Sequence, residues 1–249
     1  IQELLAILGS EKKLIALIKK ELLEIRTLFP IPRRTQVIAG ETAIAAPQEE
    51  KAVEQVAIAL CEGGADRSAN AGMLIRRWPA RLFNLNDIRA DVPRFLVIAN
   101  SDTKLRLFTN RGALILLNVE DIPETKPTGK AANLAALLAL EKEEKIIAAF
   151  PEESEGDYLF YTRSGMVKRT ACAEYSPKTK RTAALSLKEG DSLIGMEKAE
   201  GPAVLMVTAL GMSIRFDWQE VPQTGRVSAG VRGIKLDAKD RVLFAGQTG

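Results

Sequence analysis

The feature that most narrows the folds open to this chain is a motif that returns three times: Thr109-Asn110-Arg111-Gly112, Thr162-Arg163-Ser164-Gly165 and Thr208-Ala209-Leu210-Gly211. Each copy follows an apolar run (Leu105 to Phe108, Tyr158 to Tyr161, Val204 to Val207) and precedes another strand. Each therefore reads as a hairpin turn in which glycine supplies the positive φ that a tight reversal needs. The glycines stand 53 and then 46 residues apart. Periods of that size point to stacked units such as propeller blades, since one unit alone cannot bury its apolar faces.

Other positions keep step with the turns. Nine residues beyond each glycine comes an acid, Asp121, Glu174 or Glu220, followed by Ile122, Tyr175 or Val221. A later strand is introduced by an acid two residues before an aliphatic: Glu144 and Ile146, Asp191 and Leu193, Asp240 and Val242. A weaker copy precedes these, with strands at 56–60 and 73–77, an expanded turn from Glu62 to Gly72 and a shortened later half. The prediction is a mainly β, propeller-like body of about four blades, at about 55–94, 95–150, 157–198 and 203–249, with almost no helix after residue 55.

The N-terminus is of another kind. Leu4, Leu8, Ile15, Ile18, Leu22, Ile25 and Phe29 trace a helical seam, which Gly9-Ser10 divides: glycine closes one helix near Leu8 and Ser10 caps the next, from about Glu11 to Leu28. Pro30 and Pro32 stop it. Both helices carry more Leu and Ile than one narrow stripe holds, which predicts packing against further protein. Residues 1–30 thus read as a helical segment, and 31–54 as a linker with a short strand at 35–39. Ile1-Gln2-Glu3 reads as the interior of a helix, the mark of a piece of a longer chain.

Composition removes several functions. There is no histidine, so Ser-His and Cys-His catalysis and histidine-based zinc sites are excluded within the chain. Cys61 and Cys172 stand far apart outside any C-x-x-C, which reads as two buried thiols in a reducing, cytosolic protein. No apolar stretch approaches the roughly 20 residues of a membrane span. No metal site is expected. The net charge of +3 conceals segregation: +3 over residues 1–40, −4 over 41–70, +4 over 71–140, −5 over 141–157 and +5 over 158–249. A field of that kind attracts a polyanion.

Leu8-Gly9-Ser10, Lys20-Glu21-Leu22-Leu23-Glu24-Ile25 and Arg33-Arg34-Thr35 resemble the last helices of the breakage-reunion core in the A-type subunits of type IIA DNA topoisomerases, those of DNA gyrase and topoisomerase IV. Gly165-Met166-Val167-Lys168-Arg169-Thr170 with Glu174-Tyr175 is similar to a blade of the C-terminal domain of these subunits. So are Ile214-Arg215-Phe216, Gly225-Arg226 and Gly230-Val231-Arg232-Gly233-Ile234-Lys235-Leu236. The resemblance is strong over 1–38 and 95–246 and poor over 40–94. It implies a β-pinwheel, a propeller relative whose neighbouring blades exchange strands, with duplex DNA running around a basic rim. It implies three partners: duplex DNA, the rest of a homodimeric A-type subunit, and the ATPase (B-type) subunit. ATP and Mg2+ would be used through other domains. The family's catalytic tyrosine lies upstream of Ile1, so Tyr158, Tyr161 and Tyr175, all expected in blade strands, are not read as nucleophiles. The gyrase box is absent from 76–86, Arg-Arg-Trp-Pro-Ala-Arg-Leu-Phe-Asn-Leu-Asn, which makes the chain more like topoisomerase IV.

Binding a duplex without reading sequence requires Lys and Arg along a path. Arg76, with Arg77 beside it, Arg169 and Arg215 are expected at equivalent places on successive blades, with Lys168 beside Arg169. The connections after each acid add Lys126 and Lys130, then Lys178, Lys180 and Arg181, then Arg226, Arg232 and Lys235. The repeated acids Asp121, Glu174 and Glu220 read as structural hydrogen-bonding groups, and no catalytic residue is expected. The alternative is a protein-interaction propeller that uses the basic blades and the acidic loop Glu152 to Asp157 for partners other than DNA.

Overall fold

The computed structural model describes residues 7, 9–29, 53–62, 73–82, 93–126 and 131–248, and the chain divides into two units, residues 1–50 and 51–249. In the first unit α1 (Glu11–Leu28) is the second of the two predicted helices. Ser10 holds the N-cap position in extended conformation, but only its carbonyl contributes, accepting the Lys13 and Leu14 amides at 3.0 Å. The seam of Ile15, Ile18, Leu22 and Ile25 is exposed. The helix predicted to end near Leu8 and the strand predicted at 35–39 lie outside the described residues.

The second unit is the predicted mainly β body, four repeats of short antiparallel strands. The first repeat supplies β1 (Gln55–Glu62), β2 (Met73–Pro79) and β3 (Pro93–Asn100). The second supplies β4 (Lys104–Thr109), β5 (Ala113–Asn118), β6 (Ala132–Asn133) and β7 (Ile146–Pro151). The third supplies β8 (Asp157–Thr162), β9 (Met166–Ala171), β10 (Arg181–Ala183) and β11 (Leu193–Lys198). The fourth supplies β12 (Ala203–Thr208), β13 (Ser213–Phe216), β14 (Val231–Arg232) and β15 (Val242–Thr248).

The sheets are not built from single repeats. Their orders are β3-β1-β2-β6, β10-β5-β4-β7, β11-β8-β9-β14 and β13-β12-β15, so each of the first three takes its outermost strand from the following repeat. From sheet to sheet β3, β7, β11 and β15 adjoin one another, which makes them the inner strands. The donated strands β6, β10 and β14 are consequently the rim. All of β3 belongs to the first sheet, pairing from Gln55↔Asn100 to Cys61↔Pro93, so the blade boundary expected near residue 94 moves to residue 100. The expectation failed there because Pro93–Asn100 lacks a turn glycine of its own to count from.

The repeated residues have specific work in the turns. Gly112, Gly165 and Gly211 adopt φ of 73°, 82° and 83°. The threonine three places earlier accepts a main-chain N–H from the residue after the glycine: Ala113 to Thr109 Oγ1 (3.3 Å), Met166 to Thr162 (3.3 Å), Met212 to Thr208 (3.1 Å). Asp191 Oδ1 accepts the Ser164 amide at 2.9 Å and Asp240 Oδ1 the Leu210 amide at 3.1 Å, so these acids brace turns from the neighbouring strand. Glu144 departs from that plan and takes the Arg181 guanidinium at 2.7 and 2.9 Å. Asp121, Glu174 and Glu220 stand on exposed 3-10 turns whose next residues, Ile122, Tyr175 and Val221, are buried plugs. A short helix, α2 (Leu134–Leu138), interrupts the otherwise β body, with the Asn133 side chain accepting the Ala135 and Ala136 amides.

Both faces of the inner sheets are covered, and the core is a series of apolar layers between sheets. Ile58, Leu60 and Ile75 meet Leu105, Leu107 and Ile115. Phe108 and Leu114 meet Tyr158, Phe160 and Tyr175, and Leu159, Tyr161 and Val167 meet Val204 and Met206. Each such side chain contributes about 1.5–3 kcal/mol on burial. Stacking therefore stabilises the body, and strand donation binds each layer to the next.

Candidate nucleic-acid interface

Strand donation decides where the basic connections go. Lys178 and Lys180 lead into β10, which lies on the second sheet with Arg181 opposite Ile115; the Lys180 carbonyl accepts the Leu116 N–H at 2.7 Å. Arg232 lies in β14 opposite Met166 of the third sheet, and Lys235 follows it. Lys126 precedes β6, the donated strand of the first sheet, just after Thr125 has bonded to the Arg77 carbonyl at 2.8 Å. The cations are thus threaded along the outer edges of successive sheets. Lys126, Lys178, Lys180, Arg215, Arg232 and Lys235 are exposed and make no ion pair among the described residues. Lys130 lies outside the described residues.

Four more of the expected cations are partly exposed and already engaged. Arg169 Nε donates to Asp157 Oδ2 at 2.6 Å, and its guanidinium lies 4.6 Å over the Trp218 ring. Arg181 is held by buried Glu144. Burial acts to raise that carboxyl, and the hydrogen bonds from Arg181, the Glu141 amide and Thr109 outweigh it, leaving the group below the usual carboxylate range. Arg226 donates to Thr182 Oγ1 (2.8 Å) and the Ala183 carbonyl (2.6 Å). Arg77 stands 3.9 Å from Glu124. These side chains tie repeats together and offer a ligand only part of their charge.

Two expectations are corrected. Lys168 and Arg76 are buried, at 1% and 7% exposure, and cannot form part of a rim. The register gives the reason. Matching parallel bridges, Arg77↔Glu124 and Arg169↔Gln223, make Arg77 the counterpart of Arg169, so Arg76 falls on the inward-facing position of Lys168. The first repeat has no T-x-x-G turn to count from, and the sequence comparison slipped by one residue, which reverses the face of a strand.

Lys168 Nζ donates to the Ala184 carbonyl (3.0 Å), the Tyr175 hydroxyl (3.3 Å) and the Arg226 carbonyl, and it lies 5.2 Å over the Phe160 ring. Burial, then the charge of Arg226, push its pKa down to about 8, with Glu174 opposing them. The native state therefore holds this proton less tightly than the unfolded chain, and the cost of burying the charge is relieved as pH rises above 8 toward the ordinary lysine value. Between pH 7 and 9.5 this adds about 2 kcal/mol to the unfolding free energy. Urea titrations at the two pH values should show that gain in the native chain and its loss in Lys168→Met.

Sequence reasoning missed Arg106. Placed within Leu105-Arg106-Leu107, it is fully buried, and its guanidinium donates to the Glu153 carbonyl (2.5 Å) in the connection to the next repeat and to the Cys172 carbonyl (3.0 Å), Ser176 Oγ (2.7 Å) and Tyr158 OH (3.4 Å) within that repeat. A cation amid aliphatics is the one signal that could have revealed it. Arg163, exposed in the turn whose glycine is covered by Ile234 and Leu236, was also overlooked. The tyrosines are all buried, though Tyr175 sits in the 3-10 turn Cys172–Tyr175 rather than in a strand. Burial raises all three phenols, that of Tyr158 to about 12 despite its bond from Arg106. Cys61 and Cys172 are buried and are not joined in a disulfide. Among the described residues no group of three His, Cys, Asp or Glu side chains could hold a metal, and no helix is long and apolar enough to cross a membrane.

Known proteins share this arrangement. The A-type subunit of DNA gyrase from Lawsonia intracellularis is 32% identical over 96% of this chain and 30% of its own length. That of Salmonella typhimurium is 34% identical over 94% and 27%. The chain thus spans less than a third of these relatives. Among solved structures, the C-terminal domain of DNA topoisomerase IV superposes with a TM-score of 0.70 at 25% identity, over 80% of this chain and 62% of that one. The E. coli ParC C-terminal domain shares the fold at a TM-score of 0.62 and 16% identity, over 77% and 78%. Residues 105–151, 157–200 and 203–248, the last three repeats and more than half of the chain, match the family described as DNA gyrase C-terminal domain, beta-propeller. With its repeats, exchanged strands and family match in agreement, the chain belongs to that family, the C-terminal domain of DNA gyrase and topoisomerase IV A-type subunits.

Proposed function

We propose that residues 51–249 bind duplex DNA along the donated rim strands without reading sequence, and bend it. In this role they guide strand passage by a type II topoisomerase in which they are a non-catalytic part. The observation that carries this reading is the row of exposed cations, without ion pairs among the described residues, on the edges of successive sheets. Phosphates spaced along a duplex meet such a row whatever the bases, and a bend costing about 1–6 kcal/mol is offset by contacts spread along a curve. The rest of a homodimeric A-type subunit, together with the ATPase (B-type) subunit, completes the working enzyme, with ATP and Mg2+ bound elsewhere. Two buried cysteines outside any disulfide suit a reducing cytoplasm, where the chromosome is. The missing gyrase box favours a topoisomerase IV-like action over full gyrase wrapping.

The protein-interaction reading loses ground because the acidic loop is used internally. The Glu153 carbonyl holds Arg106, its carboxylate holds Lys198 at 2.6 Å, and Asp157 holds Arg169. Titrating a duplex of about 40 base pairs at 50 to 200 mM salt separates the two. Six cations engaging phosphates give a slope of log affinity against log salt of about −5. Absence of binding at the lowest salt would sink the DNA reading. ATP-dependent supercoiling of relaxed circles by the whole enzyme would overturn the topoisomerase IV preference.

A further inference from the structure

The second repeat departs from the third and fourth at the place where its donated strand ends. After β10 and β14 the chain runs on without a helix, whereas after β6 it winds into α2. Asn133 starts that helix by accepting two amides, and Ala139, left-handed at φ 48°, ends it. Leu137 and Leu138 thereby come to line a cleft against β5, between the first and second sheets. The corresponding cleft between the second and third sheets is filled. There Lys168 and Tyr175, three and ten residues past the turn glycine, both bond to the Ala184 carbonyl, at 3.0 and 3.1 Å. The second repeat has Ile115 and Ile122 at those places, which lack both the reach and the polar end. What remains is a cavity of about 340 Å³, with Ile115 and Leu117 as its buried floor and the two helix leucines as a wall. Leu137 keeps 39% of its surface exposed there.

The exposed residues that line the same cleft are charged. Lys180 makes no ion pair among the described residues, and Arg181 keeps 38% of its side chain exposed although it holds Glu144, whose own side chain is wholly buried. Asp121, the one acid in the lining, accepts from Asn118 Nδ2 at 2.9 Å. A ligand therefore meets two cations and one engaged acid at the open side of an aliphatic hollow. That pattern suits an apolar body with one anionic end. We propose that the cleft between α2 and β5 binds a small amphipathic anion, in chemical class an aliphatic carboxylate. Its chain lies on Ile115, Leu117, Leu137 and Leu138, and its carboxylate meets Lys180. No aromatic side chain lines the cleft, so nothing there favours a planar ring over an aliphatic chain. The inference does not rest on the DNA reading.

Decanoate, kept below its micelle-forming concentration, is titrated into the full chain without DNA and followed by methyl NMR. Decyltrimethylammonium supplies the same body with the opposite charge, and inorganic sulfate the charge without the body. Saturable shifts at the Ile115, Leu137 and Leu138 methyls with decanoate alone support the site. Lys180→Gln should weaken that binding about fivefold, the worth of one exposed ion pair, and Leu137→Glu should abolish it. The Lys180 group that accepts the Leu116 N–H is its main-chain carbonyl, so Lys180→Gln leaves the strand pairing intact. Should Leu137→Glu not fold, Leu137→Ala, a good helix former at an exposed position, decides by a loss of about fivefold. Absence of saturation, shifts confined to other residues, equal binding of decyltrimethylammonium, the same shifts with sulfate, or unchanged affinity in Lys180→Gln or the Leu137 variant overturns the proposal.

Discussion

Arg106→Ala is expected to lower the unfolding free energy of the β body by about 3–5 kcal/mol, the largest effect of any single replacement outside the turns. The change removes a guanidinium that serves four oxygens and leaves the Glu153 and Cys172 carbonyls, the Tyr158 hydroxyl and Ser176 Oγ without this donor. Only the Cys172 carbonyl and the Tyr158 hydroxyl are buried among these acceptors, and the change also opens a cavity beside the ring cluster of Phe108, Phe150, Tyr158 and Tyr175, whose centroids lie 5.0 to 6.3 Å apart where they meet. Arg106→Met restores most of the volume without the donors, so it should recover only the packing part of the loss. Denaturant titrations of the three chains give the comparison. A loss under about 1 kcal/mol for Ala would mean that Arg106 is not the clamp between the second and third sheets. Burial holds the Tyr158 phenol up and the Arg106 bond opposes it, so loss of Arg106 should raise its pKa further.

Neutralising Lys178, Lys180, Arg232 and Lys235 together should leave stability nearly unchanged and cut duplex affinity by several orders of magnitude at low salt. Each lost phosphate contact removes about 0.9 from the salt slope, so the four together flatten it by about 3 to 4. These side chains are exposed and make no ion pair among the described residues, and surface replacements of that kind usually cost within about 0.5 kcal/mol each. Lys168→Met is the internal comparison. It deletes a positive charge from the same stretch of sequence, and because that charge lies between sheets the slope should stay at its native value. An unchanged slope in the fourfold variant would move the DNA path off the donated strands. A fall in slope for Lys168→Met would contradict the burial of its ammonium.

The contrast between these variants marks how far the sequence could be read. The hairpins at Gly112, Gly165 and Gly211 were legible because a tight reversal demands a local conformation that few residues adopt, and the threonine that supports each turn stands three residues before its glycine. The helix from Glu11 to Leu28 was legible for the same reason, its periodicity and the proline stops being local. Lys178, Lys180, Arg232 and Lys235 are exposed, as a rim would require, the first two and the last in connections and Arg232 in the two-residue strand β14.

Lys168 and Arg76 were misplaced because they have the same chemistry in sequence as Arg169 and Arg77, and only the pairing register decides which side of a strand faces the next sheet. Arg106 escaped notice because its partners come from residues 47 to 70 positions later. The sequence by itself determined the repeat, its turns, the all-antiparallel character and the supply of basic side chains, since these depend on residues close together in the chain. Strand exchange was implied by the family resemblance, but only the tertiary structure decided which strand of each later repeat crosses to the sheet before it. That crossing depends on backbone edges left open by distant residues. It carries some cations to the rim and seals others between sheets.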